Sequence, residues 1–351
     1  MRTEKKKGTS TWSRLARLAM AWLLVSPLCV VAAETKTGAD QQLDPQKIRE
    51  EAKAVAATDK DADKKDGEKK AEKAPPLPLH CIEGTGGLFA THTAYLVNPP
   101  KKGDIAGLPA VEGTYVNIGN GRHMTAFTLT ENLAGRVELG YGWDHFWAGD
   151  LRHDIAKATG LEIDHNAVNL HNFNARGLLV KDGDFGKKWV PALTLGIHYK
   201  YNDTVSSLND DLGGALKGIG IERRDGVDFT LYTTKMVTAL PRPFLVSAGV
   251  RGSRAAHLGL LGFTNEYRAT AEGNVAILLT NHFILAGEYR QKRSSYKEIP
   301  GLVEKERDWW TVDIAYILTK RGTLGAGYGH FGDVLNHSAN GVWGVKFKWE
   351  F

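Results

Sequence analysis

Hydrophobic and polar positions alternate strictly through the last eleven residues, Gly341 to Phe351. Trp343, Val345, Phe347, Trp349 and Phe351 are large and apolar, whereas Val342, Gly344, Lys346, Lys348 and Glu350 fall between them. A period of two places the first set on one face of a strand and the second on the other. One face suits hydrocarbon and the other a polar interior, the pattern of a membrane-spanning strand. A soluble sandwich strand seldom spends three aromatics on one face. The five apolar residues are therefore predicted to act together as the barrel-insertion signal.

The same period recurs upstream and predicts strands over 111–118, 122–130, 136–146, 170–180, 188–201 and 227–237. Six more are predicted over 243–253, 264–278, 283–292, 309–318, 323–331 and 341–351. In strand 188–201, Trp189, Leu195, Ile197 and Tyr199 face out, and Thr194, His198 and Lys200 face in. The ten steps from Trp189 to Tyr199, at ~3.3 Å each and a tilt near ~40°, rise roughly 25 Å, the height of an outer-membrane apolar band. Connections alternate between short turns (131–135, 181–187, 238–242, 279–282, 319–322) and mostly longer loops. Such barrels have short periplasmic turns and longer external loops, so the parity is consistent. The predicted fold is an all-β transmembrane antiparallel barrel of about twelve strands over residues 111–351, preceded by a disordered periplasmic spacer.

The N-terminal pattern changes the picture from barrel to exported barrel. Arg2 to Arg17 is basic, Leu18 to Val31 is apolar, and Ala32-Ala33 follows. This predicts a secretory signal over 1–33, cut before Glu34. The apolar run is short for a retained anchor. Residues 34–79 are rich in Lys, Asp, Glu and Ala, with a capped helix predicted after Asp44-Pro45, and are expected to be mostly disordered. Residues 80–110 are predicted to be ordered, either tucked into the barrel as a plug or sealing it. The whole chain has 45 Lys+Arg against 40 Asp+Glu, a net charge of +5. The signal holds six basic residues against one acidic, so the mature chain is nearly neutral. That removes the concentrated basic face a nucleic-acid partner requires. Cys29 leaves with the signal and Cys81 remains alone, so no internal disulfide forms. The mean hydropathy of −0.30 fits a barrel whose apolar residues are diluted by alternation.

Candidate chemistry lies first on the inward face. Alternation assigns to the lumen, as a solute path, Glu138, Asp144, His198, Lys200, Arg251, Glu266, Arg268, Glu272, Glu288, Arg290, Asp313, Lys346 and Lys348. Both signs occur on neighbouring strands, which suits an ion-paired lining or a channel with charged rungs. Glu112 and Thr114 are expected opposite the last strand, giving the seam a charged contact. The glycines of Gly325-Ala326-Gly327-Tyr328-Gly329 are read as sites of close packing. His145, His153, His165 and His171 with Asp150, Asp154 and Asp164 match no tight ligand spacing, and neither a metal nor a cofactor is predicted. His337-Ser338 has the residue types of a base and a hydroxyl nucleophile, but adjacent strand residues point apart.

Several stretches carry a family resemblance: Cys81-Ile-Glu-Gly-Thr-Gly-Gly, His171-Asn-Phe-Asn-Ala-Arg-Gly-Leu-Leu-Val, Trp189-Val-Pro-Ala-Leu-Thr-Leu-Gly-Ile-His-Tyr-Lys, Asp225-Gly-Val-Asp-Phe-Thr-Leu-Tyr-Thr-Thr-Lys-Met and Leu260-Leu-Gly-Phe. From Cys81 to Phe351 the chain resembles an uncharacterised bacterial family catalogued as domain of unknown function 3034. That resemblance implies an outer-membrane barrel and brings no ligand or catalytic residue. The expected function is a narrow channel or binding site for small polar solutes in the outer membrane of a Gram-negative-type bacterium. One alternative is a non-conducting structural or assembly barrel with a periplasmic tether; another is an outer-membrane lipid hydrolase. Expected partners are outer-membrane lipid and lipopolysaccharide, with Asp203, Asn209, Asp210 and Asp211 as candidates for bridging ions. The barrel-assembly machinery and a periplasmic partner of residues 34–79 complete the expectation.

Overall fold

The computed structural model describes residues 79–101 and 103–351. The predicted signal at 1–33, and the predicted spacer up to residue 78 with its helix, lie outside the described residues. Twelve antiparallel strands close into a barrel. The first six are β1 (Ala110–Gly119), β2 (Arg122–Leu133), β3 (Val137–Ala148), β4 (Ala167–Val180), β5 (Ala192–Asn202) and β6 (Asp225–Val237). The others are β7 (Phe244–Ala256), β8 (Gly262–Leu278), β9 (Phe283–Arg290), β10 (Trp309–Ile317), β11 (Gly322–His330) and β12 (Val342–Glu350). Each strand pairs with the next, and β12 pairs with β1, so the barrel has no free edge. At the seam Lys348 lies opposite Glu112 and Lys346 opposite Thr114.

Alternation determines what each face meets. Phe127, Leu195, Ile197, Val250, Val275, Val312 and Ile314 are large, apolar and 46–62% exposed on the outer wall. A surface of this extent in water would aggregate; in hydrocarbon it is the expected outer face. Among the described residues, no helix is long and apolar enough to cross a membrane. All twelve predicted strands are present, with ends moved by a few residues. The strand predicted from 188 starts at Ala192, because Pro191 cannot donate to the ladder. Trp189 therefore lies before the strand and is 75% exposed.

The two ends of the barrel differ. At one end the connections are short turns. At the other, longer loops fold over the opening, and their apolar residues pack together. Helix α1 (Leu151–Thr159) buries Leu151 and Ile155, and ends on Gly160 at φ 74°, the left-handed cap glycine favours. Helix α2 (Val205–Asp211) buries Val205 and Leu208. These join Ile163, Leu261, Val303, Phe331 and Leu335 in one apolar cluster with wall residues such as Ile118 and Phe146. Val334 and His337 pair in a short hairpin between β11 and β12.

Residues 79–98 do not join the wall. They lie inside it, and every residue from Leu79 to Ala94 is buried. A short pairing of His80–Cys81 with Thr85–Gly86 folds this inner segment back on itself. Gly84 takes φ 85° at its turn, where a side chain would also meet the Tyr141 carbonyl at 2.8 Å. The segment returns to the short-turn end, where Asn98 donates to the Leu108 carbonyl at 2.6 Å just before β1.

Candidate functional site

The inner segment is mostly irregular, so its buried N–H and C=O groups need partners other than a ladder. The wall supplies them from strands all round the ring. Glu288 on β9 accepts from the amides of Phe89 (2.8 Å), Ala90 (3.0 Å) and Thr91 (2.7 Å) and from the Thr91 hydroxyl. Glu138 on β3 accepts from the Gly86 amide at 3.0 Å and the Val97 amide at 2.7 Å. Glu112 on β1 takes the His80 amide at 3.0 Å. Carboxylates suit this work because each offers several acceptor directions at charge-assisted strength. The carbonyls are met in turn. Arg176 donates to the oxygens of Thr93 and Tyr95, Asn174 to Glu83, Asn274 to His92, and Lys346 to His80 and Leu88.

At the centre stands Glu83, the only Asp, Glu, Lys or Arg between Leu79 and Asn98. Its carboxylate lies 2.6 Å from Arg290, 2.9 Å from Arg251 and 3.2 Å from Lys200. Two wall acids complete the array. Asp228 pairs with Arg251 at 2.9 Å and Lys200 at 3.4 Å, and Glu272 with Arg251 at 2.7 Å and Arg290 at 3.1 Å. Three carboxylates thus balance three cations, all of them fully or almost fully buried. Charges withdrawn from water are tolerated only when paired and hydrogen-bonded to this degree. Removing the inner segment would leave the wall with one unbalanced positive charge in this array.

Inward glycines make room for the segment. A Cβ at Gly140 would stand 2.1 Å from the Gly84 carbonyl oxygen, and one at Gly142 would stand 2.9 Å from that of Glu83. On the opposite wall, Cβ atoms at Gly344 and Gly327 would meet the Phe89 ring at 2.4 and 3.2 Å. The β11 glycines read as packing sites include Gly327, which takes this role.

The residues assigned to the lumen from sequence sort into groups. Glu138, Lys200, Arg251, Glu272, Glu288, Arg290 and Lys346 are buried inside and hold the inner segment or its charge array. His198 bridges Asn174 at 2.7 Å and Thr230 at 2.8 Å. Asp144 accepts from Asn172 at 2.8 Å, Asp313 from Thr311 at 2.8 Å, and Lys348 pairs with Glu350 at 2.6 Å. Glu266 and Arg268 are not buried inside. They pair with each other at 2.7 Å, with side chains 67% and 47% exposed. A break in β7–β8 register between Phe263 and Arg268 leaves Glu266 outside the ladder, whereas Arg268 pairs opposite Ser253 and lines a small pocket with Asp228, Arg251 and Arg290. The seam contact is present as Lys346 to Glu112 at 2.7 Å. In the insertion signal, Trp343, Val345, Phe347 and Phe351 are exposed on the outer side, and Trp349 is half-buried against Gly322.

The loop candidates are dispersed. His165 meets Asp211 at 3.0 Å, His171 meets Tyr141 at 2.8 Å and Asp203 at 3.4 Å, and His145 meets Asn169 at 2.8 Å. Among the described residues, no three of His, Cys, Asp and Glu are grouped as a metal ion requires. His337 Nε2 donates to the Ile118 carbonyl at 3.1 Å, whereas the Ser338 hydroxyl accepts from Arg307 at 2.8 Å. The two side chains have separate partners and do not form a base–nucleophile pair.

Glu83, Arg176, Asn174 and Asn274 were not assigned roles from sequence. A signal existed for the first: a lone acid in an otherwise uncharged stretch beside a cation-bearing lumen. For the others the signal was the inward parity of their strands, which sequence reasoning did not carry to Arg176, Asn174 and Asn274.

Comparison with curated proteins gives no match. Among solved structures, the KdgM porin in complex with disordered oligogalacturonate is similar at 10% identity and a TM-score of 0.39, over 69% of this chain and 99% of its own. The NanC porin is similar at 11% identity and a TM-score of 0.41, over 69% of this chain and 98% of its own. The outer membrane phospholipase (OMPLA) dimer of Salmonella typhi with bound calcium is similar at 9% identity and a TM-score of 0.32, over 77% and 95%. These are loose likenesses of shape, and none bears on what this chain does. The family model described as "Protein of unknown function (DUF3034)" matches residues 79–345. Its match begins with the first described residue of the inner segment and runs into the closing strand, so segment and wall form one unit: the chain belongs to the DUF3034 family of proteins of unknown function.

Proposed function

We propose that this protein is an outer-membrane barrel that passes or binds small polar solutes, and that residues 79–98 are the piece that closes it. The observation that carries the reading is the Glu83 array, in which one acid of the inner segment meets three wall cations at 2.6, 2.9 and 3.2 Å. A lumen lined by both signs offers charged rungs to a polar solute once the segment moves aside. The segment is held by hydrogen bonds and ion pairs, which exchange with water more readily than a covalent or wholly apolar seal. The apolar outer wall supports a membrane location. The turn parity, with the cleaved signal read from residues 1–33, supports the outer membrane, with the short turns in the periplasm.

Liposome swelling tests the reading. Proteoliposomes carrying Glu83→Gln or Glu288→Gln should admit arabinose faster than those carrying the wild type. A second reading, a non-conducting structural barrel, is favoured by how completely the wall satisfies the segment. It gains if both variants, and a folded variant lacking residues 79–98, remain impermeable.

A further inference from the structure

Between the Glu83 array and the loop end, β7, β8 and β9 leave a small pocket of about 30 Å3. Ser253 and Thr270 contribute hydroxyls to its wall, and Arg251 and Arg290 of the array belong to its lining. The volume is that of one water in the liquid, so a single oxygen-sized group enters and the rest of any ligand stays outside. The way in is open at Arg268 and Arg293, which line the pocket and are both exposed.

The lining is basic. Arg251, Arg268, Arg290, Lys292 and Arg293 contribute to it against two acids, Asp228 and Glu306. Both acids are already engaged, Asp228 with Arg251 at 2.9 Å and Lys200 at 3.4 Å, and Glu306 with Lys292 at 3.4 Å. Arg268 pairs with Glu266, but outside the pocket and with both side chains exposed, where such a pair is worth little. The mouth therefore offers two guanidinium groups that no buried acid neutralises. Excess charge of one sign in a concave site concentrates ions of the other sign. The planar fork of a guanidinium matches the two oxygens of a carboxylate.

We propose that this pocket captures the carboxylate of a small organic acid, one oxygen entering it and Arg268 and Arg293 holding the group from the mouth. The proposal rests on the solute-binding reading and names the solute class, small acids rather than neutral sugars. The captured group lies beside Arg251 and Arg290, the cations that hold Glu83, so solute and inner segment meet at one place.

The test is arginine labelling by phenylglyoxal on the full mature chain in lipid nanodiscs, read residue by residue by peptide mass spectrometry. Sodium acetate replaces sodium chloride at constant ionic strength. Acetate should slow the labelling of Arg268 and Arg293 saturably, roughly 10-fold at ten times its dissociation constant. It should leave Arg321, exposed at the short-turn end, unchanged. Acetamide, of the same shape without the charge, should protect neither. Arg293→Gln should remove the protection of Arg268, and Thr270→Glu, which adds an acid to the lining, should remove it from both arginines. Acetate that slows neither arginine more than Arg321, or protection that persists in both variants, overturns the site. Equal protection by acetamide overturns the carboxylate. Either failure leaves the channel reading standing, since arabinose entry through Glu83→Gln decides that separately.

Discussion

Arg290 Nη1 lies 2.6 Å from Glu83 Oε1, so a side chain on β9 grips a residue 207 positions earlier in the chain. Arg290 also reaches Glu272 on the neighbouring strand at 3.1 Å, and both contacts are buried. One guanidinium thus fixes the inner segment and neutralises the wall. Breaking a buried pair by removing one partner typically costs ~3–5 kcal/mol, because the other charge is stranded. Glu83→Gln should therefore lower the heat-modifiability transition, with Arg290→Met lowering it comparably. A transition unchanged in both would mean that the array does not hold the segment.

Gly140 and Gly177 provide a matched pair of probes. A Cβ at Gly140 would stand 2.1 Å from the Gly84 carbonyl oxygen, whereas one at Gly177 meets nothing within 4 Å. Gly140→Val should displace the inner segment, and Gly177→Ala should not. Cys81 is fully buried in the segment, so maleimide labelling in a Cys29→Ser background reports the difference. Labelling should quicken in the first variant and match the wild type in the second.

His257 gives the external loops a dependence on pH. It is buried against Tyr296, Glu306 and Lys292, with Asp333 nearby, and burial outweighs the acids in holding its pKa below the usual value. The opened loops would take up a proton near the ordinary ~6.5, before the folded ones do. The loop packing should therefore hold fully above about pH 6.5 and weaken as pH falls below it. Limited proteolysis at pH 7.5 and pH 5 measures this. His257→Asn, which tolerates the left-handed backbone at φ 47°, should flatten the difference.

Phe351 ends the outward row begun by Trp343 and is 51% exposed. Its amide donates to the Pro109 carbonyl at 3.1 Å, which ties the last strand to the start of the first. Phe351→Ala keeps that backbone bond and removes only the ring. It should impair membrane insertion, measured as loss of heat-modifiable protein from the outer-membrane fraction. Normal insertion would show that the final ring is not part of the signal.

Much of the wall was legible because a two-residue period states directly which face each side chain takes. β12 shows this: Lys346 and Lys348 were placed inward from alternation alone, and the seam partner Glu112 followed. Glu266 shows where parity is interrupted, since it lies in a break in the β7–β8 register that ends at Arg268. The inner segment was legible only as an ordered piece of two alternative placements. It has no period, because its backbone is satisfied by side chains from distant strands, and such pairings leave no local trace. The loop packing was missed for a related reason. Leu151 and Ile155, or Val205 and Leu208, show helical spacing, but which side chains of separate loops meet leaves no local trace.

The central claim is that residues 79–98 close the lumen, and single-channel recording in planar bilayers tests it most directly. The account predicts a wild type that is mostly silent, with rare discrete steps, and a Glu83→Gln variant showing the same step size at markedly higher open probability. Silence from the wild type, from Glu83→Gln and from a correctly folded variant lacking residues 79–98 would contradict it.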